Sequence, residues 1–286
     1  MRWERPASGL EMLVGDYFAF DSEGLDAMGA VEWMLPNWPT IRLVLAENAI
    51  TIDGPGVRWS PLPAAGFYGP TSRVMRHTSY GGVTIGVSLT PAGLSRLLDI
   101  DVSRYRDRMV PLAELLPPPT CATLIAELRA SDQGPAVKGI LDRFFLAQMA
   151  HPHPEEAQIV ALHRCLLDER IQSARALAGA LDLRPERLRR LSLRRFGFPP
   201  KTLLIRTRFL RSLVAVKQAG AAGSYDLIDQ AYTDASHFLR DCEKYLGMTA
   251  RQFAELETPF LDAVLRARTL VLGTATPALG PASYGD

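Results

Sequence analysis

The sequence is poor in the features that organise exported and membrane-embedded chains. It has three cysteines in 286 residues, and Cys121, Cys165 and Cys242 lie far apart with no C-x-x-C pair. That excludes a disulfide framework and a cysteine zinc site as organising devices. Nowhere do about 18 uncharged apolar residues run together, so no transmembrane helix is expected. The opening Met1-Arg2-Trp3-Glu4-Arg5-Pro6 is not followed by an apolar stretch with a small-residue cleavage site, so export is not expected. A reducing cytoplasm is the expected compartment, with the cysteines as packing residues.

Enzyme signatures are missing too. There is no G-x-x-x-x-G-K-[ST], no G-x-G-x-x-G after a strand and no H-E-x-x-H. Gly86-Val87-Ser88-Leu89-Thr90 lacks the second glycine of a nucleophile elbow. His151 and His153 precede Glu155-Glu156, but without a further ligand cluster they read as linker rather than metal site. No catalytic residue, metal or cofactor is expected. An interaction scaffold, or an enzyme with an unrecognised N-terminal active site, is the alternative class.

What is present is an ordinary globular composition, 47% apolar and 22% charged, long enough for two domains. The net charge of +1 hides an asymmetry. Residues 1–154 hold 13 Lys/Arg against 16 Asp/Glu, a net −3, whereas residues 155–260 hold 17 against 13, a net +4. Between Arg184 and Arg211 ten basic residues face one acid, Glu186. A polyanionic partner follows from that imbalance.

The patterning predicts an α+β chain: a mainly β N-terminal domain, a helical linker, and an all-α C-terminal domain. Up to about Leu116, runs at 17–20, 31–35, 41–45 and 83–89 are strand-like and separated by turn residues. Thr90-Pro91 enters a short helix, and Pro117-Pro118-Pro119 is expected to stop regular structure. Residues 120–129 and 136–149 have helical spacing and form the linker, whose apolar faces pack on the N-terminal domain or on a second copy of the chain. The expected boundaries are 1–118, 119–154 and 155–258, with a tail over 259–286 that frays from Gly273. Trp33, Trp59, Phe67 and Tyr68 either line an effector pocket or fill the β core.

Two helix-turn-helix units can be read beyond residue 155. In the first, a helix over 173–181 turns at Asp182-Leu183 into a second helix opened by Pro185 and stopped by Gly197. In the second, a short helix near 225–230 leads to one over 234–246, with Asp234 as N-cap and Gly247 as stop. Residues 201–218 form the long helix between the units. Thr249-Ala250-Arg251-Gln252 has capping-box spacing. Glu186, Arg189 and Arg190 fall on the outer face of an arginine-bearing second helix, which suits guanine recognition in a major groove.

Gly197-Phe198-Pro199-Pro200-Lys201 with Arg206-Thr207-Arg208-Phe209, and Ala231-Tyr232-Thr233-Asp234-Ala235-Ser236-His237-Phe238-Leu239-Arg240 with Tyr245-Leu246-Gly247-Met248-Thr249, resemble the two halves of the AraC/XylS family's DNA-binding domain. The resemblance spans about residues 155–256. Ala231 replaces the family's Gly, and Ser192 and Cys242 its Phe. Residues 224–229 align least well. The family resemblance implies a sequence-specific transcriptional regulator bound to double-stranded DNA. Glu186, Arg189 and Arg190, then Ala235, Ser236, His237 and Arg240, would read bases, although His237 equally suits a core or capping role. Arg194, Lys201, Arg206 and Arg208 would hold phosphates. The N-terminal domain resembles the family's sensor half through Leu35-Pro36, Tyr68-Gly69-Pro70 and Val87-Ser88-Leu89-Thr90-Pro91-Ala92-Gly93. A small-molecule effector, a homodimer, and RNA polymerase as partner of an activator are the further implied expectations.

Overall fold

The computed structural model of the chain describes residues 1–22, 29, 31–45, 50–54, 57–219 and 225–280. Its strands are β1 (Arg2–Glu4), β2 (Val14–Asp21), β3 (Val31–Met34), β4 (Thr40–Val44), β5 (Thr51–Gly54), β6 (Val57–Trp59), β7 (Ala65–Tyr68), β8 (Met75–Thr78), β9 (Val83–Leu89) and β10 (Met109–Pro111). Among the described residues they form two antiparallel sheets, ordered β1-β2-β9-β4-β7-β10 and β3-β8-β5-β6. The mainly β N-terminal region followed by helices is the architecture expected from the patterning.

Successive side chains of a strand point to opposite faces, which sorts the large sheet into two environments. Tyr17, Ile41, Leu43, Phe67, Ile85 and Val87 join the main core. Their neighbours Asp16, Phe18, Arg42, Val44, Tyr68, Thr84 and Ser88 face a cavity on the other side. The cavity face depends on Gly86, which pairs with Phe18 across β2 and β9. A Cβ at Gly86 would lie 1.8 Å from the Phe18 ring, so only glycine lets that ring lie across the sheet.

Helix α1 (Pro91–Leu98) starts as the sequence predicts, with proline in the first turn and Thr90 accepting from the Gly93 N–H. Gly93 is required for another reason: a Cβ there would sit 1.9 Å from the Leu13 carbonyl oxygen. Helices α2 (Pro118–Ala130) and α3 (Ala136–Gln148) follow. The proline run opens α2 rather than ending regular structure, because the first turn of a helix has no use for its N–H groups. The linker helices pack on the β region. Asp142 accepts from the Ala7 N–H at 2.9 Å and the Tyr17 hydroxyl at 3.1 Å, and Phe145 stacks on Tyr17.

The rest of the described chain is helical: α4 (Glu156–Leu167), α5 (Ala174–Ala180), α6 (Pro185–Phe196), α7 (Pro200–Gln218), α8 (Ala235–Leu246), α9 (Ala250–Glu255) and α10 (Pro259–Leu272). The expected first helix of the second unit is reduced to one 3-10 turn, Tyr225–Leu227; residues 220–224 lie outside the described residues. Gly197 and Gly247 end α6 and α8 with φ of 81° and 71°, the left-handed conformation glycine adopts without strain. Asp234 caps α8, and Thr249 with Gln252 closes a capping box on α9.

The expected tail is a structural element. Helix α10 returns to the β region, where Glu32 accepts from the N–H groups of Phe260 and Leu261, each at 3.2 Å. Arg268 donates to Asp16 at 2.9 Å with both side chains buried, and Leu272 packs against Trp3 and Phe18. Gly273 is indeed a left-handed stop, but Ala275, Thr276 and Ala278 beyond it are buried rather than frayed. Anchoring by Glu32 and Asp16 holds the segment down; residues 281–286 lie outside the described residues.

A single hydrophobic cluster runs from Ile41 and Phe67 in the sheet, through Leu124 and Phe145, to Leu162, Leu188, Phe209 and Phe253 in the C-terminal helices. The two halves therefore share a core. No described helix is long and apolar enough to cross a membrane.

Candidate functional site

Helices α6 and α8 are built to one pattern. On α6 the buried residues are Leu188, Leu191, Ser192, Arg195 and Phe196; on α8 they are Phe238, Asp241, Cys242, Tyr245 and Leu246. Both sets follow the i, i+3, i+4, i+7, i+8 rhythm of a helix with one inward face. The opposite face of α6 exposes Glu186, Arg189 and Arg190, and that of α8 exposes Ser236 and Arg240, with Ala235 half-buried. Arg190 and Arg240 hold corresponding positions in the two helices. Arg187 donates to Gln158 at 3.1 Å, leaving Arg189 and Arg190 as the outward guanidinium pair of α6.

The helix ends facing the N-terminal half are fixed by charge. Arg195 is buried and donates to Asp99 at 2.6 Å and to Glu155 at 2.7 Å, with the His153 ring 3.0 Å away. His153 and Glu155 thus meet around an arginine, which leaves them as members of an ion-pair cluster. Asp99 is held below the usual carboxylate range by its bonds to Arg195 and His153, against the upward push of burial. Arg96 of α1 donates to Glu156 of α4 at 2.6 Å and to the Met149 carbonyl at 3.0 Å.

Two of the four arginine and lysine positions expected at phosphates are turned inward, Arg206 fully and Arg208 for most of its side chain. Arg206 is buried, its guanidinium carbon 4.2 Å from the Trp38 ring centre and 4.9 Å from that of Phe198, and it donates to the Thr71 carbonyl. Burial lowers it to about 10. Arg208 lies 4.1 Å over the Tyr232 ring and 3.6 Å from Asp241, its side chain 12% exposed. Both arginines fasten α7 to its neighbours, because each falls on a face of α7 that is turned inward. Lys201 is exposed and Arg194 half-exposed, 3.7 Å from Asp99. His237 is half-buried, edge-on to Tyr232 and 3.4 Å from Arg208, which favours the packing role over base reading.

Cys121 and Cys242 are buried and Cys165 is half-buried, and all three are free. Burial, followed by Asp241 and Glu243, pushes the Cys242 thiol up to about 12, so it is neither a thiolate nor a nucleophile at neutral pH.

The aromatic residues expected around an effector divide by face. Trp33 and Tyr68 line the cavity between the sheets. Phe67 does not: it is adjacent to Tyr68 in β7 and therefore points the other way, into the main core against Tyr105. Trp59 lies at the rim of a separate depression with Pro61 and Met109. The cavity measures about 170 Å³. Its walls also include Arg42, His77, Phe18 and Met75, and α10 closes it with Phe260, Leu261, Val264, Leu265 and Arg268. Arg42 and α10 were both missed from the sequence: the one local signal of Arg42 is a cation inside the strand run Ile41-Arg42-Leu43-Val44, and α10 has no such signal.

No protein-family profile matches the chain, and no curated protein does. Among solved structures, the chain is similar to ToxT from Vibrio cholerae. A crystal structure of wild-type ToxT with unsaturated fatty acid bound is 13% identical, with a TM-score of 0.45 over 91% of this chain and 99% of that one. A second ToxT crystal form is 10% identical, with a TM-score of 0.45 over 83% of this chain and 97% of that one.

Proposed function

We propose that the chain is a sequence-specific transcriptional regulator of the AraC type that binds double-stranded DNA through α6 and α8. The observation that carries this reading is the repeated helix design: two helices with the same inward spacing, each ended by a left-handed glycine, each turning a short polar or basic face to solvent. The sequence motifs around both helices support the same reading.

In this reading Arg189 and Arg190, with Glu186, discriminate bases from α6, and Arg240 with Ser236 and Ala235 does so from α8. Arg194 and Lys201 position the duplex through phosphates. The helices address successive major grooves, which recur every ~34 Å on one face of DNA. A small-molecule effector occupies the cavity, and the regulator works as a homodimer, with RNA polymerase as its partner where it activates.

Selection of bound sequences from a random duplex pool, followed by titration of the winner at two salt concentrations, tests the reading. An enriched motif of two blocks one helical turn apart, with affinity falling as salt rises, is the expected result. Binding without sequence enrichment, or capture of acidic protein with no duplex binding, replaces the regulator with an interaction scaffold.

A further inference from the structure

The floor of the cavity carries donors without acceptors. Arg42 reaches into it from β4, and its Nη2 donates to the Met34 sulfur at 2.7 Å, a weak acceptor. Its Nε is buried with no partner. The Phe18 and Tyr68 rings flank it with centres 5.6 and 5.0 Å from the guanidinium carbon. Among the described residues no carboxylate stands within ion-pair distance of Arg42. The Tyr68 hydroxyl, on a side chain only 4% exposed, and Nδ1 of His77 are likewise buried without partners. Both line the same cavity. Arg42 is half-buried with its Nε shut off from solvent. A cation desolvated there without a counter-charge is costly, and three unsatisfied polar groups lining one cavity, two from the large sheet and one from the small sheet, point to a partner from outside the chain.

We propose that this cavity binds a small organic monocarboxylate with a compact apolar body, the carboxylate received by Arg42 and Tyr68 with His77 as the third polar contact. A guanidinium fork matches the two oxygens of a carboxylate. Of the other charged residues in the lining, Arg268 is paired with Asp16 and Glu32 accepts from the Phe260 and Leu261 N–H groups. The charge left for a ligand is the single one of Arg42, which favours a carboxylate over a phosphate dianion. Tyr68 holds its proton, since burial pushes it up to about 12 despite Arg42, and so it donates at neutral pH. His77 is held down to about 3 by burial and then by Arg42, so it adds no second charge.

The body of the ligand follows from the remaining walls. Phe18, Trp33, Val44 and Met75 are apolar or aromatic, and the cavity volume of about 170 Å³ is close to that of an engineered cavity of about 150 Å³ known to accept benzene. One ring or a short alkyl chain fits. The far wall is α10, with Leu261 and Leu265 against the cavity. As the effector site of a regulator this proposal rests on the functional reading above; as a binding site it rests on the cavity alone.

The test is calorimetric titration of the full chain, without DNA, with benzoate, octanoate, benzamide and inorganic phosphate, on the wild type, Arg42→Met and Tyr68→Phe. Benzoate or octanoate should bind, and benzamide should bind about tenfold or more weakly for want of charge. Arg42→Met should lose about tenfold or more in benzoate affinity and raise thermal stability in the absence of ligand, because it removes an unpaired buried cation. Tyr68→Phe, which changes one hydroxyl, should weaken benzoate by several-fold while folding normally.

The proposal is overturned if neither carboxylate binds at about 1 mM, if benzamide or phosphate matches benzoate, or if Arg42→Met binds benzoate as the wild type does. Because the titration contains no DNA, carboxylate binding with failed sequence selection removes the regulator reading and leaves the site. Sequence selection without carboxylate binding does the reverse.

Discussion

The Arg206 guanidinium carbon lies 4.2 Å from the centre of the Trp38 ring, joining the long helix of the C-terminal half to the loop that leads into β4. Phe198 covers it from a second direction at 4.9 Å. Aromatic rings thus replace much of the hydration that this buried cation gives up. Two of its guanidinium nitrogens, Nε and Nη2, have no hydrogen-bond partner, so the cost of truncation comes from the emptied space and the lost ring contacts. Arg206→Ala should destabilise the protein by about 2 to 4 kcal/mol, whereas Arg206→Met, which fills the space without a buried charge, should be far milder. Urea unfolding measures that loss. The salt slope of DNA binding should stay unchanged; a shallower slope would return Arg206 to the phosphate contacts.

For α6, Arg189→Ala or Arg190→Ala should each cost on the order of 1 to 3 kcal/mol at the selected site and little on random duplex. Arg240→Ala should do the same at the second sequence block. Arg194→Ala and Lys201→Ala should weaken both kinds of DNA alike and reduce the salt slope by about 1 each. Footprinting and titration at several salt concentrations separate the two classes, and an equal loss on both DNAs would move an arginine from bases to backbone.

Asp16 and Arg268 form a buried pair at 2.8 Å, so Asp16→Asn leaves a buried cation uncompensated. The expected cost is about 3 to 5 kcal/mol, together with faster proteolysis near α10 at native conditions. The joint replacement Asp16→Leu with Arg268→Met should be far milder, since neither charge is then buried. If the single and joint variants lose the same stability, the pair has no special role in anchoring α10.

His163 is buried between Trp38 and Phe196, and burial, then Arg206, holds it down to about 3. An unfolded histidine takes up a proton near pH 6.5. Between those values the unfolded state binds more protons, so stability falls as pH drops below about 6.5 and is insensitive to this group above it. The slope contributed by His163 approaches about 1.4 kcal/mol per pH unit. His77 acts in the same direction. His163→Gln should flatten the urea midpoint between pH 6.5 and 5, above the range where ordinary carboxylates titrate; an unaltered slope would show that His163 is charged in the fold.

Much of the C-terminal half was legible because its signals are local. Pro185, Asp234, Gly197 and Gly247 mark helix ends by backbone chemistry that tertiary contacts do not alter. Arg206 of α7, expected at a phosphate, is buried for a non-local reason. Arg206 shares its face with Leu203, Leu210 and Leu213, all buried, so helical spacing places it inward although its charge suggests the surface.

In β7 all four residues are buried, so polarity does not reveal which face holds the cavity. Only pairing with β4 and β10 does. Helix α10 was hidden because its partners, Asp16 and Glu32, lie in the first strands. No short window of sequence contains both sides of those contacts.

Folding in the order of synthesis meets that separation directly. The two sheets leave the ribosome early, yet one wall of the cavity lined by Arg42, Trp33 and Phe18 is α10, made after both α6 and α8. A nascent N-terminal half therefore presents an open apolar trough until Asp16 and Glu32 receive residues near the far end of the chain. Such late closure favours slow final assembly and exposes the intermediate to aggregation. A polar substitution on α10 would thus be expected to lower yield during synthesis more than it lowers the stability of molecules already folded.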